Sequence, residues 1–160
     1  MPEATTKPAP AKRVILLAGD AERRQLIDDN PQAALVSETL PLRANLSVLE
    51  NISVVLQFRT NSYLGEAEDI ARKLLSLVGR AACADKRDPD LDHEERFIAK
   101  LLRAVVLSPP IILIDRPAQL LPDCFYPVFL HRTLYALEGR IEQCWILDYK
   151  WNAPLYRKRA

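Results

Sequence analysis

The chain has 160 residues, of which 49% are hydrophobic and 27% charged, and its formal net charge is +1. This length and composition suit one domain with a packed core. The near-neutral charge excludes the strong positive field of a typical nucleic-acid-binding protein, so no nucleic-acid partner is predicted.

The ends of the chain differ in composition from its middle. Residues 1–12 are rich in Pro and Ala and predict a disordered leader without a secretory signal, residues 13–150 predict the domain, and residues 151–160 predict a basic tail. No apolar run is long enough to span a bilayer. We therefore expect a cytoplasmic protein that reaches the inner face of a membrane only through a partner.

The first half of the chain predicts two short strands followed by two helices. Residues 13–20, RVILLAGD, predict a strand that closes in a Gly-Asp turn, and residues 33–36 predict a second short strand. Residues 37–45 contain a proline and predict a loop. Ser47 and Glu50 have the spacing of a capping box at the start of a helix. A more amphipathic helix is predicted for residues 66–80.

The second half alternates between helix and strand. Helices are predicted for residues 92–107 and 128–137, and strands for residues 111–115 and 143–149. The strand at 111–115 is continuously apolar, which is typical of a strand buried in a parallel sheet. This order predicts a parallel α/β core with crossover helices. The three cysteines are widely spaced and lack a C-x-x-C pair, which predicts free thiols and no zinc site.

The chain carries neither G-x-x-x-x-G-K-[ST] nor G-x-G-x-x-G, and its four glycines are far apart. A loop that holds phosphate needs glycines so that backbone N–H groups can approach the anion. Asp115 ends an apolar strand, as the magnesium-binding Asp does in P-loop hydrolases. The next residue is Arg116, whose guanidinium stays protonated and cannot act as a general base. Asp115 can be interpreted as a magnesium ligand or as an acid paired with Arg116 or Arg103. The pair is favoured because a metal site needs further oxygen ligands.

The order of elements over residues 13–149 resembles the ATPase subunits of ABC transporters. Three stretches carry the resemblance: LPLRANLSVLENI, EAEDIARKLLSLVGRA and LDHEERFIAKLLRAVVLSPPIILIDRP. The last is similar to the signature helix and the Walker B strand of that family. The resemblance implies a P-loop NTPase-like α/β core with a parallel sheet, a helical subdomain and reduced N-terminal β elements. The first strand is similar to the strand after the family's phosphate-binding loop, which implies that the chain begins beyond that loop.

The chain departs from the family at the motif positions. The Leu-Ser-Gly-Gly-Gln signature reads Leu-Asp-His-Glu-Glu here, an Arg stands at the catalytic Glu, and the Q-loop Gln and switch His are replaced by acids. The degenerate motif positions are Glu38, Asp92, His93, Glu94, Glu95, Asp115, Arg116 and Asp148. We assign no catalytic, cofactor-binding or metal-binding residue and predict a pseudo-ATPase that is not an enzyme. Residues 91–95 form either a recognition surface or a solvated acidic first helical turn.

The resemblance also implies that residues 38–51 contact the membrane subunit of a transporter. The predicted partner-binding residues on this loop, which we expect outside the core, are Leu40, Leu42, Arg43 and Asn45. The predicted function is that of a catalytically inactive structural or regulatory subunit of a membrane transporter complex. Its partners would be an intact ABC ATPase subunit, a membrane permease subunit, or both. Two alternatives stay open: a divergent ATP-binding protein that retains nucleotide binding, and a free-standing adaptor.

Overall fold

The structure, a computed structural model, describes residues 11–157 and contains one four-stranded sheet in the order β1-β4-β3-β2. The strands are β1 (Ala11–Leu17), β2 (Ala34–Val36), β3 (Ile112–Asp115) and β4 (Gln143–Tyr149). Every neighbouring pair is parallel. The predicted α/β architecture with a parallel sheet is therefore confirmed.

The helices connect the strands and cover both faces of the sheet. They are α1 (Asp20–Asp28), α2 (Val48–Thr60), α3 (Leu64–Leu77), α4 (His93–Val105), α5 (Pro117–Leu120) and α6 (Tyr126–Ala136). A 3₁₀ helix, Lys150–Tyr156, follows β4. The four longer helices predicted from the sequence are present. Helix α1 was not predicted, because its apolar residues Leu26 and Ile27 are too few to form a stripe.

Alternate residues of the inner strands face two different apolar clusters, as the period of a β-strand requires. Ile112, Ile114 and Ile146 contribute to the larger cluster, which also contains buried apolar residues of α2, α3, α4 and α6. Leu113 and Leu147 contribute to a smaller cluster on the other face, where α1 supplies its apolar residues. Burial on both faces explains why β3 reads as an unbroken apolar run.

Two helices begin with a capping box. At α2, the Ser47 hydroxyl accepts from the Glu50 N–H at 3.1 Å, and the Glu50 carboxylate accepts from the Ser47 N–H at 3.1 Å, as predicted. Asp92 and Glu95 make the same pair of bonds at α4, at 2.7 Å and 3.1 Å. Each box satisfies backbone donors that have no partner within the helix.

Strand and helix among the described residues extend beyond both limits of the predicted domain. Strand β1 begins at Ala11, and the 3₁₀ helix continues to Tyr156. Residues 1–10 and 158–160 lie outside the described residues, so the division into leader, domain and tail stays a prediction. Within residues 11–157, no helix has the length and apolar character needed to cross a membrane. The three cysteines are free thiols, as predicted.

The loop after β2 lies only partly outside the core. Leu42 is 6% exposed and belongs to the larger apolar cluster, whereas Leu40 is 43% exposed. The guanidinium of Arg103 donates to the carbonyls of Pro41 and Leu40 at 2.8 Å and 2.7 Å, which fixes the loop with Leu42 inside. The expectation that the whole loop is outside the core is therefore wrong for Leu42, whose side chain is not available to a partner. Arg43 and Asn45 are exposed.

The two leucines of this loop should differ sharply in their effect on stability. We expect Leu42→Ala to lower the free energy of unfolding by about 2–5 kcal/mol, because it removes buried methyl groups and leaves a cavity. We expect Leu40→Ala to change it by less than about 1 kcal/mol, because Leu40 is partly solvated. Urea unfolding followed by circular dichroism measures both values. Equal losses would contradict the inward orientation of Leu42.

Candidate functional site

The ends of the parallel strands bring several polar residues to one edge of the sheet. Ser37 follows β2, Asp115 ends β3, and the turn of Ala18 and Gly19 connects β1 to α1. The carboxyl ends of parallel strands meet at the same edge, which is where ligands bind in open α/β sheets. This edge is therefore the candidate site.

Asp115 lies at the centre of this edge and is only 1% exposed. Its Oδ2 accepts from the Ser37 hydroxyl at 2.9 Å and from Nη1 of Arg23 at 3.1 Å. Nε of Arg116 lies 3.3 Å from Oδ1, but neither atom has a hydrogen bond among the described residues. The predicted pairing of Asp115 with Arg116 is thus present as an ion pair, and Arg103 does not take part in it.

Arg116 has an unusual backbone conformation, with φ of 51°. A left-handed conformation is costly for a residue with a β-carbon, and Pro117 disfavours the ordinary helical region for the residue before it. The Arg116 N–H donates to the carbonyl of Leu147 at 2.9 Å, which holds the turn to β4. This geometry places the guanidinium against the buried carboxylate of Asp115.

The first turn of α1 supplies further charges to the edge. The Arg23 guanidinium contacts the Asp20 carboxylate at 2.9 Å as well as Asp115. The Ala18 N–H donates to the Glu22 carboxylate at 2.8 Å. In a phosphate-binding loop, N–H groups at this place face the anion. Here a carboxylate of the chain accepts one of them.

Lys100 reaches the same region from α4 and is only 4% exposed. Its ammonium donates to the carbonyl of Ser37 at 3.1 Å. Burial lowers the pKa of Lys100, and the nearby cations Arg103 and Arg96 lower it further. The lysine holds the chain directly after β2, where Ser37 contacts Asp115.

Sequence reasoning missed Arg23, Ser37 and Lys100. Ser37 could have been found because it is the first polar residue after a predicted strand. Lys100 interrupts the apolar stripe of α4, which is a signal of a buried ionic contact. Arg23 had no such signal, because its helix was not predicted.

Asp148, near which the resemblance places the family's switch His, is 2% exposed. Its carboxylate accepts from the hydroxyls of Tyr126 at 2.8 Å and Tyr156 at 2.6 Å. It also accepts from the Tyr149 N–H at 2.7 Å and from the Asn152 amide at 2.8 Å. These four donors tie the 3₁₀ helix to β4 and α6, so the arrangement has a clear structural role.

The four polar residues at the signature position are used in local contacts. Asp92 caps α4, and Glu95 completes that capping box while it pairs with Lys86 at 3.0 Å. Glu94 pairs with Arg80 at 3.0 Å, and Nε2 of His93 lies 3.4 Å from a carboxylate oxygen of Asp123. Glu95 is 8% exposed, so the turn is not uniformly solvated.

Glu38, at the predicted Q-loop position, is exposed. Across residues 11–157, no group of three His, Cys, Asp or Glu residues is arranged to hold a metal ion.

A groove of about 580 Å³ lies beside the loop that carries the predicted partner-binding residues. Its apolar wall includes Leu46, Val54, Val55, Phe58 and Leu107, and its polar wall includes Arg43, Arg59 and Arg103. The Phe58 side chain is 90% exposed. Of the predicted partner-binding residues, Arg43 therefore lines the groove. Whether a partner binds there stays a prediction.

Comparison with known sequences supports the family resemblance. No family model matches the chain. The spermidine/putrescine import ATP-binding protein PotA of Spiroplasma citri is 31% identical over 112 residues, which are 70% of this chain and 31% of that protein. The glutamate transport ATP-binding protein GluA of Corynebacterium efficiens is 26% identical over 124 residues, which are 77% of this chain and 51% of that protein. The chain thus spans about a third to a half of these relatives.

Comparison with solved structures identifies the fold. The dimeric bacterial ABC transporter cassette MJ0796 matches this chain with a TM-score of 0.68 and 18% sequence identity. The matched region is 93% of this chain and 79% of the cassette chain. The same cassette in a post-hydrolysis state, bound to ADP and Pi, has a TM-score of 0.60 and 21% identity, over 84% of this chain and 58% of that chain. The chain therefore has the fold of an ABC ATPase cassette, as the resemblance implied.

These comparisons correct the prediction that the chain is not an enzyme. The relatives are named as ATP-binding proteins of transport systems, and the cassette of the same fold was solved with the products of ATP hydrolysis. The missing motif residues were the sole basis for a pseudo-ATPase. That interpretation conflicts with the function of the family.

The topology also changes how β1 is interpreted. β1 runs through Ala18 and Gly19 directly into α1, and α1 then leads to β2. In P-loop proteins, the phosphate-binding loop stands between a strand and the helix that follows it. β1, its two-residue turn and α1 therefore have the order of that unit. The turn lacks the glycine motif of that loop, so the position of β1 relative to the family's loop stays a prediction.

The tyrosines around Asp148 should make the fold sensitive to alkaline pH. Burial raises the pKa of Tyr126 and of Tyr156, and the hydrogen bond to the Asp148 carboxylate raises each further. The folded protein therefore retains these protons where the unfolded chain, with a tyrosine pKa near 10, loses them. The free energy of unfolding should fall as pH rises above about 10, by up to about 1.4 kcal/mol per pH unit for each tyrosine.

Urea unfolding at pH 8 to 11 measures this dependence. We expect Tyr156→Phe to be less stable than the wild type at pH 8 but to lose less stability on going to pH 11. The matched control is Tyr63→Phe, because Tyr63 is 82% exposed. A Tyr156→Phe variant with an undiminished alkaline loss would contradict the assignment.

Proposed function

We propose that this chain, whose relatives are the ATP-binding proteins of ABC transporters and whose fold is that of their cassettes, is a subunit of an ABC-type transport complex. In this proposal, a segment of a membrane permease subunit binds in the groove beside α2, at the cytoplasmic face of the membrane. The single observation that carries it is the combination of apolar and cationic walls in that groove.

The charges of the groove have no carboxylate partner within the part of the chain that the structure describes. Among residues 11–157, Arg43, Arg59 and Arg103 form no ion pair with a carboxylate. The guanidiniums of Arg59 and Arg103 donate instead to backbone carbonyls, Arg59 to that of Val106 at 3.3 Å. Carbonyl groups leave the positive charge uncompensated. The groove therefore favours an occupant that brings carboxylates.

The groove also offers an exposed apolar contact. Phe58 projects from α2 beside the half-buried Val54 and Val55. Aromatic and arginine side chains are enriched at the energetic centres of protein interfaces. An amphipathic helix with apolar residues on one face and acids at its edge would satisfy both walls.

The wall formed by the loop after β2 is held in place before any partner arrives. The Asn51 side chain accepts from the Arg43 N–H at 2.9 Å and donates to the Ser47 carbonyl at 2.9 Å. Arg103 holds the loop from the other side through the carbonyls of Leu40 and Pro41. A preformed wall loses little conformational entropy on docking.

Nucleotide binding is a second candidate function. The observation in its favour is the strand-turn-helix unit of β1 and α1 beside Asp115, together with the ATP-binding relatives. It is compatible with docking, because Asp115 does not line the groove. Calorimetry with Mg-ATP tests it separately.

The docking proposal is tested by purification of the tagged chain from its own cells under conditions that retain membrane proteins. A photoreactive amino acid in place of Val54 should form a cross-link to a permease subunit. The double variant Phe58→Asp with Arg43→Glu should lower the recovery of that permease by about tenfold or more, the effect of ~1.4 kcal/mol. It removes an apolar contact and a cation from the groove and adds two acids, which repel the carboxylates expected of the occupant.

The control variant is Tyr135→Asp, because Tyr135 is 70% exposed on α6 and does not line the groove. It should recover the permease as the wild type does. Recovery of the permease that is equal in the groove variant and the wild type would place the interface elsewhere. Cross-linking only to another ATPase subunit or to a soluble protein would contradict docking on a permease.

A further inference from the structure

Helix α1 is attached to the sheet by unusually few buried groups. It has no buried residue, whereas α2, α3, α4 and α6 each have several. Its N-cap is Gly19, which has no side chain to cap the first turn. Leu26 and Ile27 are only partly buried against the smaller apolar cluster. Segments with few buried contacts are the ones that open locally in native proteins.

Among the described residues, a buried ion pair connects this helix to the end of β3, in addition to the exposed hydrogen bond between the Ala18 N–H and the Glu22 carboxylate. Nη1 of Arg23 lies 3.1 Å from Oδ2 of Asp115, and the two side chains are 12% and 0% exposed. Arg23 also contacts Asp20 of the same helix, so the guanidinium and its second partner move together with α1. A buried pair is costly to break by removal of one partner, because the other charge stays buried.

The same pair covers the carboxylate of Asp115. While it is closed, the Asp115 side chain has no contact with solvent. Its Oδ1 has no hydrogen bond among the described residues, and Arg116 faces it at 3.3 Å without hydrogen-bond geometry. The hydrogen bonds from Arg23 and Ser37 therefore both go to the other oxygen, Oδ2. Among the described residues, loss of Arg23 would leave Ser37 as the one hydrogen-bond donor to this carboxylate.

We propose that α1 is a gate over Asp115, which the Arg23–Asp115 ion pair holds closed. The helix opens as a unit while the rest of the domain stays folded. Opening exposes the carboxylate of Asp115 and the apolar residues that α1 covers, such as Leu113 and Leu147. The gate follows from the packing of α1 and does not rest on the proposed function.

Hydrogen exchange measured by mass spectrometry tests the gate. In Arg23→Gln, the amides of residues 20–28 should exchange at least about tenfold faster than in the wild type, because the buried pair is lost. Amides of α4 should change less than about twofold. The matched control is Arg24→Gln, since Arg24 pairs with Asp20 at 2.8 Å, is 74% exposed and does not contact Asp115. It should leave the exchange of α1 within about twofold of the wild type.

The pairing itself is tested by Asp115→Asn and by the double variant with Arg23→Gln. Asp115→Asn should also open α1, and the double variant should open it no further than the single changes do, because both remove the same contact. Effects that simply add would overturn the role of the pair. The same holds if Arg23→Gln leaves α1 unchanged, or if Arg24→Gln opens it equally.

A measurement on the wild type covers the case in which a variant does not fold. Exchange of the α1 amides in low urea should depend on urea more weakly than exchange of the α4 amides, because opening α1 exposes little surface. If the α1 amides exchange only through global unfolding, with the same urea dependence as α4, the gate does not exist.

Discussion

A carboxylate buried at the end of an inner strand requires compensation of its charge, and much of this structure follows from that requirement at Asp115. An uncompensated buried charge is too costly for a domain of ordinary stability. Arg23 from α1, Ser37 after β2 and Arg116 after β3 surround the carboxylate. Three separate segments of the chain are thereby fixed relative to one another at one edge of the sheet.

A single loop, the one after β2, connects the site around Asp115 to the groove beside α2. Ser37, at the start of the loop, contacts Asp115, and Lys100 holds its carbonyl. Arg43, further along, lines the groove, and Asn51 binds its backbone. Between these two points, Arg103 binds two carbonyls, and Leu42 is buried. The candidate site and the candidate docking surface are thus parts of one continuous, well-anchored segment.

The motif positions show that the replacement of motif residues does not by itself establish inactivity. The replaced residues at the signature are occupied with capping α4 and with ion pairs, and Asp148 is occupied with two tyrosines. These contacts explain why such residues are tolerated in the fold. They do not decide activity, and the relatives and the cassette structures contradict a conclusion of inactivity drawn from the motifs. A site is defined by the groups that meet in space, and motif positions are only part of that set.

The sequence by itself determined the elements whose signals are local. The capping box of Ser47 and Glu50, the apolar run before Asp115 and the amphipathic stripe of α3 all predict their structures from neighbouring residues. The parallel α/β class follows from their order, as does the resemblance to ABC ATPases. The pairing of Asp115 with the adjacent Arg116 could be predicted for the same reason.

Only the tertiary structure decided which distant residues share a site. Arg23 and Asp115 are 92 positions apart, and Ser37 and Asp115 are 78 apart, so no local pattern relates them. The inward orientation of Leu42 depends on Arg103 of another helix, 62 positions from the carbonyl of Pro41 that it binds. Helix α1 lacks an apolar stripe and is held by a long-range ion pair, which is why the sequence did not predict it. Such contacts depend on how the strands are ordered in the sheet, and that order is a property of the whole chain.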